Sequence, residues 1–137
     1  MGQMYYNGEA VSKDFNTAFK WYKNAASNGD STAQNMLGIM YSEGEGVTKD
    51  YSSAVKWYEL AAEQREAYAS YNLSNMYNRG MGAIRDYKKA YLWMSIAASL
   101  GHEGAPNNLD FLEGKLSAEE ILESQKLARE WMADHDQ

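Results

Sequence analysis

Trp21, Trp57 and Trp93 stand 36 residues apart, and a ladder of other positions keeps the same step. Shifted by 36, residues 2–30 match residues 38–66 at 14 of 29 positions, and 31–66 match 67–102 at 12 of 36. Self-similarity at a period of this size specifies stacked supersecondary units, each too small to bury its apolar face alone. Stacks of this kind present surfaces and seldom assemble reaction centres.

Each rung has a physical task. Met4, Met40 and Met76 precede Tyr5, Tyr41 and Tyr77 near the end of a first helical segment, and Gly8, Gly44 and Gly80 follow three residues after the tyrosines. Glycine at that place suits the left-handed turn that closes a helix. Asp14, Asp50 and Asp86 come next and are expected to cap a second helix, a contact worth about 1 kcal/mol. In that helix Ala54, Trp57, Tyr58, Ala61 and Ala62 recur at helical spacing. The same stripe reads Ala18, Trp21, Tyr22, Ala25, Ala26, and then Ala90, Trp93, Met94, Ala97, Ala98. The alanines are expected to admit neighbouring helices closely. The tryptophans are expected to be buried between them, so that truncation to alanine costs about 3–5 kcal/mol.

Each unit is therefore helix, glycine-containing turn, helix. The pattern Leu37-Gly38-x-x-Tyr41-x-x-Gly44-x-Gly46-Val47-x-x-Asp50-Tyr51-x-x-Ala54-x-x-Trp57-Tyr58-x-x-Ala61-Ala62 resembles the Sel1-like repeat, the longer-turned relative of the tetratricopeptide repeat. The resemblance runs from Gly2 to Leu112. It implies an all-α fold, a right-handed α-solenoid of antiparallel helix pairs. The whole chain, 1–137, then forms a single repeat domain. Its units are 1–30 (truncated), 31–66, 67–102 and a partial 103–114, followed by a capping helix over 117–132. Ser74 replaces the Gly38-type residue in the third copy, and the fourth copy keeps Ala105 and Leu109 before diverging after Gly114. Ser117 and Glu120 form a capping box for the closing helix. Its apolar face is expected to be Ile121, Leu122, Gln125, Ala128, Trp131 and Met132, with a polar outer side. Met1 falls inside a repeat, where a piece of a longer array would begin.

Composition narrows the functional classes. At 45% hydrophobic and 13% aromatic residues the chain is a folding one, and its one proline, Pro106, sits where a helix would start. A net charge of −6 argues against nucleic acid and against an anionic membrane surface. With no cysteine there are no disulfides or thiolate metal sites. The sequence carries no signal peptide and no apolar run of membrane-spanning length, which leaves its location open.

Strings that look like chemistry have blander readings. Ser53-Ala54-Val55-Lys56 matches the Ser-x-x-Lys of serine acyltransferases and β-lactamases, and β-lactam hydrolysis is suggested for some Sel1-like relatives. The string lies on the second helix, however, and its serine is Thr17 in one copy and Lys89 in another. Gly44-x-Gly46 recurs as Gly80 and Gly82, which marks turn residues and not a phosphate loop. His102 reads as a solvated or capping histidine beside a helix end. Asp134-His135-Asp136 falls in a tail expected to fray. Glu119, Glu120 and Glu123 form a solvated face near a helix N-terminus. No catalytic residues, metal ligands or cofactor site are expected, and the chain is read as a non-enzyme.

By resemblance, first helices line the concave face. The positions that would face a partner are Thr32, Asn35, Met36 and Ile39 in the second copy and Tyr68, Tyr71, Asn72 and Asn75 in the third. Asn78 and Arg79 follow at that helix end, and Asn107, Asn108 and Phe111 continue the stripe in the fourth copy. Gln3 and Tyr6 would belong to it from the first. Asparagine amides can donate to and accept from an extended peptide backbone, and tyrosine adds apolar area with a polar tip. Two readings of these asparagines stand: a peptide groove, or residues solvated and paired within the array. The resemblance implies a scaffold binding a protein or peptide. A purely structural spacer and a β-lactam hydrolase are the alternatives. The stripe of Phe15, Phe19 and Trp21 is expected to be incompletely covered and to favour weak self-association.

Overall fold

A computed structural model describes residues 14–136. The expectations on Gln3, Met4, Tyr5, Tyr6 and Gly8 lie outside these residues. Among the described residues seven helices follow one another: α1 Phe15–Ser27, α2 Ser31–Glu43, α3 Tyr51–Glu63, α4 Ala67–Arg79, α5 Tyr87–Ser99, α6 Ala105–Glu113 and α7 Ala118–Asp134. No strand occurs among the described residues. Sequential helices pack on one another, α1 on α2 through to α5 on α6, and α7 returns onto α5. This is an α-solenoid.

Side-chain caps fix most helix starts. Asp50 accepts from the Ser53 N–H at 3.2 Å and Asp86 from the Lys89 N–H at 3.0 Å, as expected; Asp30 does the same for Ala33 at 2.9 Å. Asp14 makes no such bond, because its backbone (φ −116°, ψ 18°) lies outside the extended shape that aims the other caps. Gly44 and Gly80 end α2 and α4 in the left-handed conformation, with φ of 74° and 67°. Ser117 and Glu120 complete the capping box of α7.

The core follows the alanine stripe. Ala18, Ala54, Ala61, Ala62, Ala90 and Ala97 are fully or almost fully buried, which lets paired helices approach closely. The tryptophans differ from expectation. Trp21 is 46% exposed, while Trp57 and Trp93 are half-buried. The next residue, Tyr22, Tyr58 or Met94, is buried instead, and Tyr58 lies against Gly38 of the paired helix. Trp57 instead lies against the cluster of Ala18, Leu37 and Met40, and Trp93 against that of Ala54, Leu73 and Met76. Each therefore packs on the first helix of its own unit and on the helix before that one.

Helix α7 lies along α5. Ser124 and Ala128, both buried, let it settle closely, with Ile121, Gln125, Trp131 and Met132 half-buried around them. Leu122, expected on this face, points outward at 65% exposure. Polar ties join the two helices: Lys88 to Glu123, and Gln125 Nε2 to the Tyr91 hydroxyl at 3.2 Å. Trp131 meets Trp93 edge-on, with ring centres 5.6 Å apart.

The expected frayed tail is instead anchored. The His135 ring stacks on Trp131 at 3.8 Å. Its Nδ1 lies 2.8 Å from the Trp131 carbonyl oxygen, and its Nε2 lies 2.8 Å from Glu63 Oε1. Arg65 donates to the His135 carbonyl at 2.9 Å and sits 3.5 Å from Asp136. Arg65 has a φ of 65°, at the turn position that Gly29 and Gly101 occupy in the neighbouring units. A non-glycine residue there costs about 1 kcal/mol, and here it reaches the tail in return.

Both His135 nitrogens face oxygen acceptors, and only the protonated ring donates to both. The bond to the Trp131 carbonyl, and then Glu63, hold its pKa above the ordinary 6.5. The folded chain thus binds this proton more tightly than the unfolded one. The contribution of His135 is complete below about pH 6.5 and is lost as pH rises through the folded value. NMR order parameters for residues 131–136 are expected to fall between pH 5.5 and 8.5. His135→Gln should abolish that pH dependence; a tail equally ordered at both pH values would refute the coupling.

Candidate functional site

The first helices α2, α4 and α6 carry the residues expected to meet a partner, and these divide into three groups. Tyr71, Asn75, Asn78 and Arg79 of α4 and Asn108 and Phe111 of α6 line one hollow of about 180 Å³. Its floor is Met94 and Leu112, which are 1% and 2% exposed. Helical spacing brings Tyr71, Asn75 and Asn78 to one side of α4, and Asn108 and Phe111 to the facing side of α6. Among the described residues, the side chains of Asn75, Asn78, Asn108 and Arg79 make no hydrogen bond or ion pair within the protein. No carboxylate lines the hollow.

The second group pairs within the array. Asn72 Nδ2 donates to Asn35 Oδ1 at 3.1 Å, and Asn35 is only 7% exposed. Asn35 is thus a buried stitch between α2 and α4. Thr32 reaches Glu66 in the same way at 3.5 Å. Ile39 is half-buried against the core of α3 and α4, and Met36 against that of α1 and α2.

The third group lies to the side. Tyr68 is 64% exposed and meets His102 edge-on at 5.0 Å. His102 stacks flat on Tyr71 at 4.0 Å and accepts from the Gly104 N–H at 3.0 Å. It therefore has a capping role and also braces one wall of the hollow. Asn107 is exposed and lines no hollow described here.

Sequence reasoning missed the floor, although a signal was present. A side chain at Gly38 would collide with the ring of Tyr58, which packs close against that backbone. The ring runs past Gly38 toward Ser42 and Glu43. One unit later the corresponding residues are Ser74, Met94, Asn78 and Arg79. Methionine releases the backbone, so serine is tolerated, and Ser74 Oγ donates to the Ala90 carbonyl at 2.6 Å. Space that tyrosine occupies in the second unit is open in the third. Also unforeseen were the buried Gln34, which donates to the Ala26 carbonyl at 3.2 Å, and its bond from Gln64 at 3.0 Å.

The other chemical strings take part in caps and packing. Ser53 Oγ donates to Asp50 at 2.9 Å as part of the helix cap, and Lys56 is exposed with no bond to it. Gly46 and Gly82 have φ of 74° and 76° and press on the backbone of Phe15 and Tyr51, which makes them turn and packing residues. No group of three His, Cys, Asp or Glu side chains among the described residues is placed to hold a metal. No described helix is long and apolar enough to cross a membrane.

The fold and this surface define a helical-repeat protein whose first helices carry its variable positions. The Sel1 repeat model matches residues 1–30, 31–65 and 67–102, and the chain belongs to the Sel1 repeat family. Among solved structures it is similar to c5321, a protective antigen present in uropathogenic Escherichia coli strains with an SLR fold. That similarity has a TM-score of 0.92 and 29% identity over 98% of this chain and 29% of the other. It is also similar to a Sel1 repeat protein from Oxalobacter formigenes, with a TM-score of 0.73 and 37% identity over 79% of this chain and 44% of the other. The chain thus spans less than half the length of either. A comparison with curated proteins found no match. Members of the family commonly serve as protein-interaction scaffolds.

The glycine–tyrosine contact yields a prediction. Gly38→Ser forces the Tyr58 ring aside and should destabilise the fold by about 1–3 kcal/mol. Adding Tyr58→Met reproduces the third unit's own pair and should recover at least half of that loss. Urea unfolding of the three variants measures the coupling; additive losses would contradict it.

Proposed function

We propose that the chain is a protein-interaction scaffold that holds an extended stretch of a partner along the face formed by α2, α4 and α6, and that it performs no reaction itself. The observation that carries this reading is the hollow between α4 and α6. Its amides and guanidinium have no partner within the described residues, and Tyr71 and Phe111 flank it. Such amides suit a peptide backbone, which offers donors and acceptors in alternation. Phe111, 53% exposed, supplies apolar area beside them. The partner is a protein or peptide and not nucleic acid, since a chain of charge −6 lacks the cationic surface that phosphates require.

The groove residues are proposed to be Tyr71, Asn75, Arg79, Asn108 and Phe111, with Tyr68, Asn72 and Asn107 at its margins. Asn35 and Ile39 support it from within the packing. Peptides selected from a displayed random library supply probes. Their affinity should fall about tenfold on Asn108→Ala/Phe111→Ala, with circular dichroism unchanged. Equal affinity for the variant would count against this face.

A second contact rests on α1. Trp21 is 46% exposed beside half-buried Phe15 and Phe19, and it is read as a weak self-association surface. Light scattering over a concentration series should show the mass rising, less steeply in Trp21→Ser. A clean monomer at high concentration would remove this contact.

A further inference from the structure

The hollow between α4 and α6 is a place where this chain departs from its own repeat, and the departure alters its chemistry. In the second unit, Tyr58 fills the corresponding space and faces Ser42 and Glu43. In the third unit, Met94 leaves the space open, and the residues around it become Asn78 and Arg79. Bulk is removed, and a carboxylate is replaced by a guanidinium. The result is a cavity of about 180 Å³ whose one charged lining residue is a cation. Arg79 has no carboxylate within ion-pair distance among the described residues. The amides of Asn75, Asn78 and Asn108 can each turn an N–H₂ donor inward.

From this arrangement, and resting on the peptide-groove reading above, the geometry points to recognition of an acidic peptide: the hollow accepts one aspartate or glutamate side chain of the partner. A carboxylate offers two acceptor oxygens, which match the planar fork of Arg79 and the neighbouring amide donors. The apolar floor of Met94 and Leu112 takes the methylenes that carry the carboxylate. Tyr71 and Phe111 on the two sides give the bound chain a surface on which to continue, so a side chain enters and not a chain end. Against a net charge of −6, the attraction is local. It depends on short, directed bonds and not on long-range steering.

The test uses C-terminally amidated peptides synthesised from a displayed random library selected on the intact chain. Selected sequences are expected to share Asp or Glu at one fixed position. Changing it to Asn or Gln should weaken binding about tenfold. Arg79→Gln should bind the acidic peptide with a similar loss and show no further loss with the neutral peptide. Ser74→Gly/Met94→Tyr copies the Gly38–Tyr58 pair that the second unit already packs, so it should fold, fill the hollow and lose the acidic preference. Peptides selected without a fixed acidic position would overturn the inference and leave the groove reading intact. So would peptides that need a free C-terminal carboxylate, or an acidic peptide bound equally by Arg79→Gln. Failure to select any peptide above a control protein would overturn both.

Discussion

The Tyr58 ring occupies the volume into which a side chain at position 38 would project. This contact brings α2 and α3 together at the distance of a backbone against an aromatic ring. Ala54, Ala61 and Ala62, all with no exposed area, extend the same close approach along α3. Trp57 and Trp93 are half-buried against clusters shared by the first helix of their own unit and the helix before it. Tyrosine thus closes a unit on its glycine, and tryptophan spans the join to the unit before. In a solenoid, intrinsic unit stability and nearest-neighbour contact are the two terms that matter.

The third unit keeps the join and changes the closure. Met94 is buried like Tyr58 but ends sooner, and Ser74 satisfies its hydroxyl on the Ala90 carbonyl, so that added hydroxyl is not stranded. The exchange preserves helix pairing and leaves space at the end of α4. Stability and site are therefore separable here: the close approach is retained while the volume beyond it is surrendered.

The fold was legible because its determinants repeat. Aspartate caps, glycine helix ends and an alanine stripe each recur at 36-residue intervals, and period alone shows which residues share a stripe. Period does not show which of two adjacent stripe residues faces the paired helix and which faces the neighbouring unit. For that reason Trp57 was expected in the slot that Tyr58 holds, and Leu122 on a face that closes around Ser124. The hollow was partly legible. Tyr71, Asn75, Arg79, Asn108 and Phe111 fall together, but Asn35 and Asn72 bond to each other. An asparagine's choice between solvent and a partner 37 residues away depends on inter-helix distance, which no local pattern encodes. The tail around His135 was expected to fray for the same reason, since the acceptor that anchors it, Glu63, is 72 residues distant.

That distant tie bears on the hollow. Units of a solenoid touch only their neighbours, so hinge-like flexing accumulates along the array. Helix α7 opposes this by lying on α5 and ending at the α3–α4 turn, where Arg65 and Glu63 receive it. It braces α5, which supplies Met94, and fixes the turn that leads into α4. A rigid wall costs less to bind against than one that must be ordered by the ligand. Arg65 adopts a backbone conformation that glycine holds at the same turn in the units on either side. The strain is tolerated because no glycine can reach His135 and Asp136. Two breaks in one period, Arg65 for glycine and Met94 for tyrosine, thus serve a single surface: one opens the hollow and the other steadies the helices that border it.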